Sequence, residues 1–282
     1  MVTAANAAQG KAWNGDSGRT WVTLQRLLDR TYKPFENLLV DWVVSVSPEP
    51  GSRLLDVGCG TGATTLALAQ RLGPDIRCTG LDISAPMIDM ATTRGHSQRL
   101  PTDFVVGDAQ TYPLPAASFE VLVSRFGVMF FDDPVAAFTN LRRATRKGGR
   151  LAFVCWRHLD ENPFMGTAER VAAPILPDLP QRLSGQPGPN AFADPHRLHS
   201  ILDASGWAQS TVAPIDVICT MADTDLMPYL TQMGPVGRVL PGVGAPIRAR
   251  VITALREAYE EFVDGGEVRY TAACWLVNTL AS

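Results

Sequence analysis

Leu54-Leu55-Asp56-Val57-Gly58-Cys59-Gly60-Thr61-Gly62 decides the fold of this chain. A short apolar run containing one acid, a glycine-rich pentapeptide and then Ala63-Thr64-Thr65-Leu66 reads as a buried strand turning directly into a helix. The glycines let the backbone turn tightly and approach a ligand at the amino end of that helix. Outward from this stretch, further strand candidates fall at Arg77–Asp82, Asp103–Gly107, Phe119–Ser124 and Arg150–Trp156. Helical stretches lie between them at Thr64–Arg71, Ala85–Thr93 and Pro134–Thr145, with Gly73-Pro74 and Gly148-Gly149 as stops. This alternation is the pattern of a parallel sheet wound with helices.

The glycine loop alone leaves several ligands open, because Gly58, Gly60 and Ala63 also satisfy the dinucleotide pattern of nicotinamide and flavin enzymes. Asp56 separates the readings. It stands two residues before the first glycine, where a carboxylate would repel a pyrophosphate and attract a cation, and S-adenosylmethionine carries both an ammonium and a sulfonium. Asp82 ends the second strand in Thr79-Gly80-Leu81-Asp82-Ile83-Ser84, where an acid can accept both ribose hydroxyls. Asp108 ends the third strand in Val106-Gly107-Asp108-Ala109, where a carboxylate can accept an adenine amine, with the Ala109 amide completing the recognition. Three acids at three consecutive strand ends outweigh the turn or capping role that each has singly.

With these residues in view, the chain resembles the class I S-adenosylmethionine-dependent methyltransferase family, of the ubiquinone-biosynthesis-like, small-molecule type. The resemblance rests on Leu54–Gly62, Gly80–Ser84, Gly107–Ala109, Leu114-Pro115-Ala116-Ala117-Ser118-Phe119-Glu120-Val121 and Arg146-Lys147-Gly148-Gly149-Arg150-Leu151, and covers about Gly51 to Trp156. It implies a doubly wound, seven-stranded, mostly parallel α/β sheet of order 3-2-1-4-5-7-6 with the last strand antiparallel. It also implies that the loop with Asp56, Gly58, Cys59 and Gly60 holds the methionine end of the cofactor, Asp82 the ribose, Ile83 and Met87 the adenine face, and Asp108 the adenine amine. Val212–Thr220 and Glu267–Thr279 supply the two strands this order still needs. Helical segments outside the minimal core are expected to form a cap.

The expected organisation is N-terminal helices and lid at 1–50, a cofactor-binding core at 51–157, a Pro- and Gly-rich cap insertion at 158–194, and C-terminal core strands at 195–282 carrying a helical insertion at about 221–262. Trp21 to Val46 reads as two helices parted at Pro34, and Gly166–Ile175 as a helix in the first insertion. In Trp13-Asn14-Gly15 and Gly18-Arg19-Thr20-Trp21, the rings of Trp13 and Trp21 can close over a cation or an adenine, or anchor the first helix.

The fourth strand runs into Ser124-Arg125-Phe126-Gly127-Val128-Met129-Phe130-Phe131, beside the position of a transferring methyl. Ser124 and Arg125 are candidate contacts to donor or acceptor, and Phe126, Met129, Phe130 and Phe131 are candidate walls of an apolar acceptor pocket. Phe130 and Phe131 suit equally well a role packing the following helix. The segment lacks the Asn/Asp-Pro-Pro-Tyr/Phe sequence of enzymes that methylate bases in nucleic acid. Should a general base be used, His158 is the first candidate, because it follows Trp156 on the same rim.

The 282 residues carry a net charge of −3, 46% apolar and 19% charged residues, which favours a small-molecule partner over a nucleic acid. The one basic cluster, Arg142 to Arg150, falls where cations complement a helix carboxyl end. Five scattered cysteines without a C-x-x-C pair point away from disulfides and zinc, and toward a reducing cytoplasm. Neither a leader pattern at the start nor an apolar run long enough for a membrane span is read. The expectation is therefore a methyltransferase acting on O or N of a small, partly apolar molecule; a non-catalytic cofactor-binding protein and a nucleotide-dependent oxidoreductase remain open at this point.

Overall fold

The computed structural model describes residues 6–180 and 185–282. Residues 1–5 and 181–184, which fall within the expected N-terminal and first cap segments, lie outside the described residues. The parallel half of the sheet consists of β1 (Arg53–Val57), β2 (Arg77–Asp82), β3 (Thr102–Val106), β4 (Phe119–Arg125) and β5 (Thr145–Trp156). Three further strands complete it: β6 (Trp207–Ala222), β7 (Val263–Asp264) and β8 (Glu267–Ala281). The order is β3-β2-β1-β4-β5-β8-β6, with β7 paired only to β8. β1 to β5 pair in parallel, and β8 runs antiparallel to both β5 and β6.

The expected order therefore holds with β8 in the seventh strand's place, and the count is corrected from seven to eight by β7. That added strand is the short arm of a hairpin in which Gly265 and Gly266 both take positive φ, 56° and 85°. Two successive left-handed residues match the twist of flanking strands, and a Gly-Gly pair adopts them without steric cost. β6 and β8 are also longer than expected, because their antiparallel ladder continues from Trp207↔Ala281 to Ala222↔Glu267.

Four helices precede the sheet rather than two: α1 (Ala7–Asn14), α2 (Asp16–Thr23), α3 (Gln25–Thr31) and α4 (Lys33–Ser45). Pro34 sits in the first turn of α4, where its missing N–H costs nothing, so the break falls just before it at Tyr32. Within the parallel half run α5 (Ala63–Leu72), α6 (Ala85–Gln98) and α7 (Pro134–Ala144). Beyond it come α8 (Pro163–Ala172), α9 (Pro195–Ala204), α10 (Asp223–Gln232), α11 (Gly234–Val239) and α12 (Ala245–Tyr259). α8 begins three residues before the expected helix, since Pro163 supplies a preset first turn.

Alternation along β1 divides the core between the two faces of the sheet. Leu54 packs with Val40, Val43, Leu68 and Ala69 of α4 and α5, whereas Leu55 and Val57 join Leu122, Phe138, Leu141 and Phe153 in the larger cluster. Each such fully buried side chain contributes about 1.5–3 kcal/mol of transfer free energy. The basic cluster serves the end of α7: Arg143 donates to the Leu114 carbonyl, Arg142 to that of Gly206, and Arg146 pairs with Glu120.

β1 and β4 meet at their carboxyl ends with no side chain between the loops. A Cβ on Gly127 would lie 2.5 Å from the Val57 carbonyl oxygen and 2.7 Å from the Gly58 Cα. Gly127→Ala is expected to destabilise the protein by about 1–3 kcal/mol through forced separation of the two strand ends. Thermal unfolding beside the wild type measures it.

Candidate functional site

Parallel strands place their carboxyl ends together, and a crevice opens where the sheet reverses its winding, here between β1 and β4. A cavity of about 1450 Å³ occupies that edge. One wall includes Gly58, Gly60, Asp82, Ile83, Met87, Asp108 and Ala109. Arg125, Phe126, Met129, Phe130 and Trp156 continue the wall, and Trp13 and Trp21 face it from α1 and α2. Ordinary single-ligand pockets run to roughly 1,000 Å³, so this one has room for two ligands side by side.

The glycine loop is held from below. The amides of Gly58 and Cys59 donate to the Leu81 carbonyl at 2.8 and 3.2 Å, and the Gly60 amide donates to Asp82 Oδ2 at 2.8 Å. Gly58, Gly60 and Gly62 all take positive φ, which keeps the loop flat against the cavity. Asp82 Oδ1 accepts the Ser84 amide at 2.8 Å, leaving each carboxylate oxygen a lone pair for a ligand.

Asp56 is buried beneath the loop and does not line the cavity; its Oδ2 accepts from Thr65 Oγ1 at 2.7 Å, and its Oδ1 has no hydrogen-bond partner. Burial pushes its carboxyl up to about 6, against the Thr65 hydrogen bond and the nearby Arg125 charge. Burial also raises Asp82 to about 6, opposed by its backbone hydrogen bonds. Asp108 accepts the Gln110 amide at 3.0 Å and the Asn6 side-chain amide at 3.3 Å.

Three other residues singled out in the sequence stand outside the cavity lining. Cys59 is buried on the sheet side of the loop, with its thiol pushed up by burial. Ser124 is fully buried; its hydroxyl donates to the Val57 carbonyl at 2.6 Å and accepts the Gly127 amide at 3.2 Å, stitching β1 to β4. His158 is exposed and turned to its own loop, where Nδ1 accepts the Asp160 amide at 3.4 Å and lies 3.2 Å from the Asp160 carboxylate. Phe131 does both jobs considered for it, lining the cavity and meeting Phe138 of α7 edge-on at 5.8 Å.

Phe126 takes φ +65°, a conformation that costs a side-chain-bearing residue of order 1–3 kcal/mol. Ring packing holds it there: Phe126 stacks on Trp156 at 4.6 Å and meets Phe35 and Tyr32 edge-on at 4.9 and 5.6 Å. The turn this creates carries Gly127 past Gly58.

The N-terminal helices close the Ile83 side of the cavity with residues the sequence reading passed over. Asn14 donates to the Ile83 carbonyl and accepts the Ala85 amide, both at 2.9 Å, and Ser84 Oγ donates to the Trp13 carbonyl at 2.6 Å. Gly18 sits where a Cβ would lie 1.9 Å from the Trp13 carbonyl oxygen. Trp13 in turn meets Phe130 edge-on at 4.9 Å. Asn14 between Trp13 and Gly15 was the available signal, but nothing local said which distant turn it would cap.

A family model described as a methyltransferase domain matches residues 55–153. Over that span the chain is similar to methyltransferase domains, and the relatives it matches include methyltransferases of ubiquinone and menaquinone biosynthesis. The ubiquinone/menaquinone biosynthesis C-methyltransferase of Ruegeria sp. is 27% identical over 156 residues, covering 55% of this chain and 61% of that protein. Aklanonic acid methyltransferase of Streptomyces sp. is 34% identical over 132 residues, 46% of this chain and 59% of that one. The chain thus spans less than two thirds of either relative. Among solved structures, the YcgJ protein of Bacillus subtilis superposes with a TM-score of 0.57 at 18% identity, covering 87% of this chain and 97% of that one, which shows a shared fold.

The two raised carboxyls set opposite pH signs for ligand and fold. A ligand offering an ammonium and ribose hydroxyls favours the ionised carboxylates, so affinity for S-adenosylhomocysteine should fall as pH drops through about 6. In the unliganded fold both groups hold protons more tightly than in an unfolded chain, so their contribution to stability is greatest at low pH and is lost as pH rises through about 6. Calorimetric titrations and thermal unfolding from about pH 5 to about pH 8 check both.

Proposed function

We propose that the whole chain is an enzyme that transfers a methyl group from S-adenosylmethionine to a small, partly apolar acceptor. The observation that carries the proposal is the joint placement of the glycine loop, Asp82 and Asp108 on one wall of a cavity large enough for donor and acceptor together.

The residues present fit the donor. The partnerless Asp56 Oδ1 and the flat Gly58–Gly60 backbone suit the cationic methionine end, with Asp56 acting through the loop as a buried charge. Arg125, whose guanidinium donates to the Tyr32 carbonyl at 3.3 Å, stands where the donor's carboxylate or an acceptor oxygen would come. Asp82 would take the ribose hydroxyls, Ile83 and Met87 the adenine face, and Asp108 with the Ala109 amide the adenine edge. Asn6, buried with its own Oδ1 partnerless, would add a second amide there. Trp13 and Trp21 would close over the donor, while Cys59 and Ser124 support the loop from outside the cavity.

When bound, the cofactor would supply a methyl group on a positively charged sulfur, activated for transfer to a nucleophilic atom of the acceptor. The protein's part is alignment and exclusion of water. Phe126, Met129, Phe130 and Trp156 wall the acceptor side nearest the strand ends, and Phe164, Tyr229 and Tyr259 wall it from the cap. We propose the cap to consist of the N-terminal helices together with the segments at 158–194 and 221–262, each of which contributes to the lining. An apolar, ring-lined chamber suits an aromatic or otherwise hydrophobic acceptor. The relatives named above methylate small molecules, which is in keeping with this reading. His158, outside the lining, is given no part in proton transfer.

No helix among the described residues is long and apolar enough to cross a membrane, and all five cysteines are free and buried. A reducing, cytoplasmic setting is part of the proposal.

The direct test pairs binding with turnover. Calorimetry should show S-adenosylhomocysteine binding and no NAD binding, and Asp82→Asn should weaken that binding by roughly tenfold or more, the worth of one charged hydrogen-bond acceptor. Methyl-labelled donor incubated with phenolic, carboxylic and amine acceptors should label at least one apolar member. Absence of S-adenosylhomocysteine binding would refute the proposal.

A further inference from the structure

The glycine loop has a second support that comes from far along the sequence. Arg94, in α6, donates from Nη1 to the Thr61 carbonyl at 2.6 Å and lies 3.4 Å from the Thr61 hydroxyl. Its Nη2 donates to Asp29 Oδ2 of α3, also at 2.6 Å. The two side chains are 19% and 21% exposed, so this pair is far better shielded than a surface ion pair, whose contribution is near zero. Asp29 Oδ2 also accepts from Gln25 of the same helix. Thr61 lies between Gly60 and Gly62, both left-handed, and the ladder of α5 begins only at the next carbonyl, that of Gly62. Its carbonyl therefore faces a guanidinium from outside the loop.

α3 is where the two halves of the cavity meet. It follows α1, which caps the Ile83–Ala85 turn through Asn14, and α2, and it ends at Tyr32, whose ring packs on Phe126 and Trp156 and whose hydroxyl bonds that of Tyr229 in α10 at 2.9 Å. A planar guanidinium with donors diverging to two elements fixes their separation in a way that a point charge cannot.

We propose that Arg94 is a positioning residue for donor binding: with Asp29 it locks the Gly58–Gly62 loop to the N-terminal helices, and so sets both the affinity for the donor and the rate at which it exchanges. The inference rests on the reading that this loop receives S-adenosylmethionine. The pair acts on the loop's shape and on the closure of α1 to α3 over it, and touches no reacting atom.

The test compares the full-length wild type with Arg94→Met, Arg94→Lys and Asp29→Asn, using S-adenosylhomocysteine as the probe. Calorimetry gives affinity, stopped-flow tryptophan fluorescence gives the dissociation rate, and trypsin cleavage at Lys11 and Arg19 reports release of the first two helices. Arg94→Met and Asp29→Asn should each weaken binding roughly tenfold, chiefly through faster dissociation, and speed trypsin cleavage after Lys11 and Arg19, whose side chains are already exposed but whose backbone is helical. Arg94→Lys, which reaches one partner at a time, should fall between. The double variant Arg94→Met with Asp29→Asn should lose no more than either single change, because the two form one unit.

Wild-type binding with unchanged affinity and dissociation in both single variants overturns this inference and leaves the cofactor reading intact. Wild-type protein that fails to bind S-adenosylhomocysteine overturns both. Should Arg94→Met not fold, Asp29→Asn, which keeps the guanidinium on Thr61, decides alone.

Discussion

Two carboxyl groups buried at adjacent strand ends, Asp56 and Asp82, govern the architecture around them. An ionised carboxylate out of water is costly unless fixed dipoles replace the lost solvent. Asp82 is compensated by two backbone amides, and one of these, from Gly60, forces the glycine loop to lie flat over the sheet edge. Asp56 has one hydroxyl partner and one oxygen with none. The resulting site is short of positive charge, and a cationic ligand resting on the loop relieves that shortage.

The same loop must also be approached closely from β4, and this second constraint explains several residues that otherwise appear unrelated. Gly58 and Gly127 touch backbone to backbone. Ser124 spends both hydrogen-bonding capacities of its hydroxyl on the two strands there. Phe126 turns through a left-handed conformation so that its neighbour can pass. The strain at Phe126 is sustained because its ring is trapped among Trp156, Phe35 and Tyr32, so the aromatic cluster is at once structural and a wall of the cavity.

The glycine-loop side of the cavity and the side proposed for the acceptor are built on different principles. Backbone amides, glycines and acids at strand ends define the first, and their geometry follows from the sheet. The second is enclosed by helices that are not part of the sheet and are held over it by scattered pairs such as Tyr32 with Tyr229 and Arg30 with Asp225. Such enclosures change with the helices that form them, which is how one sheet serves many acceptors.

The sequence by itself determined the parallel sheet and the nature of its ligand, because these depend on local signals: the apolar runs, the glycine spacing after Val57, and acids at three successive strand ends; the order of the strands came only with the family resemblance that those motifs carry. The Gly265-Gly266 hairpin was equally local and could have been read as a turn between strands. Only the tertiary structure decided which neighbouring side chains face the cavity. Ser124 and Arg125 are adjacent in sequence, yet one points into the sheet and the other into the site. His158 follows the right strand and faces away. Asn6, Asn14 and Arg94 act on turns 102, 69 and 33 residues distant. Their partners are brought near by packing of the whole chain, and no periodicity or motif records a contact that exists only once the helices have docked.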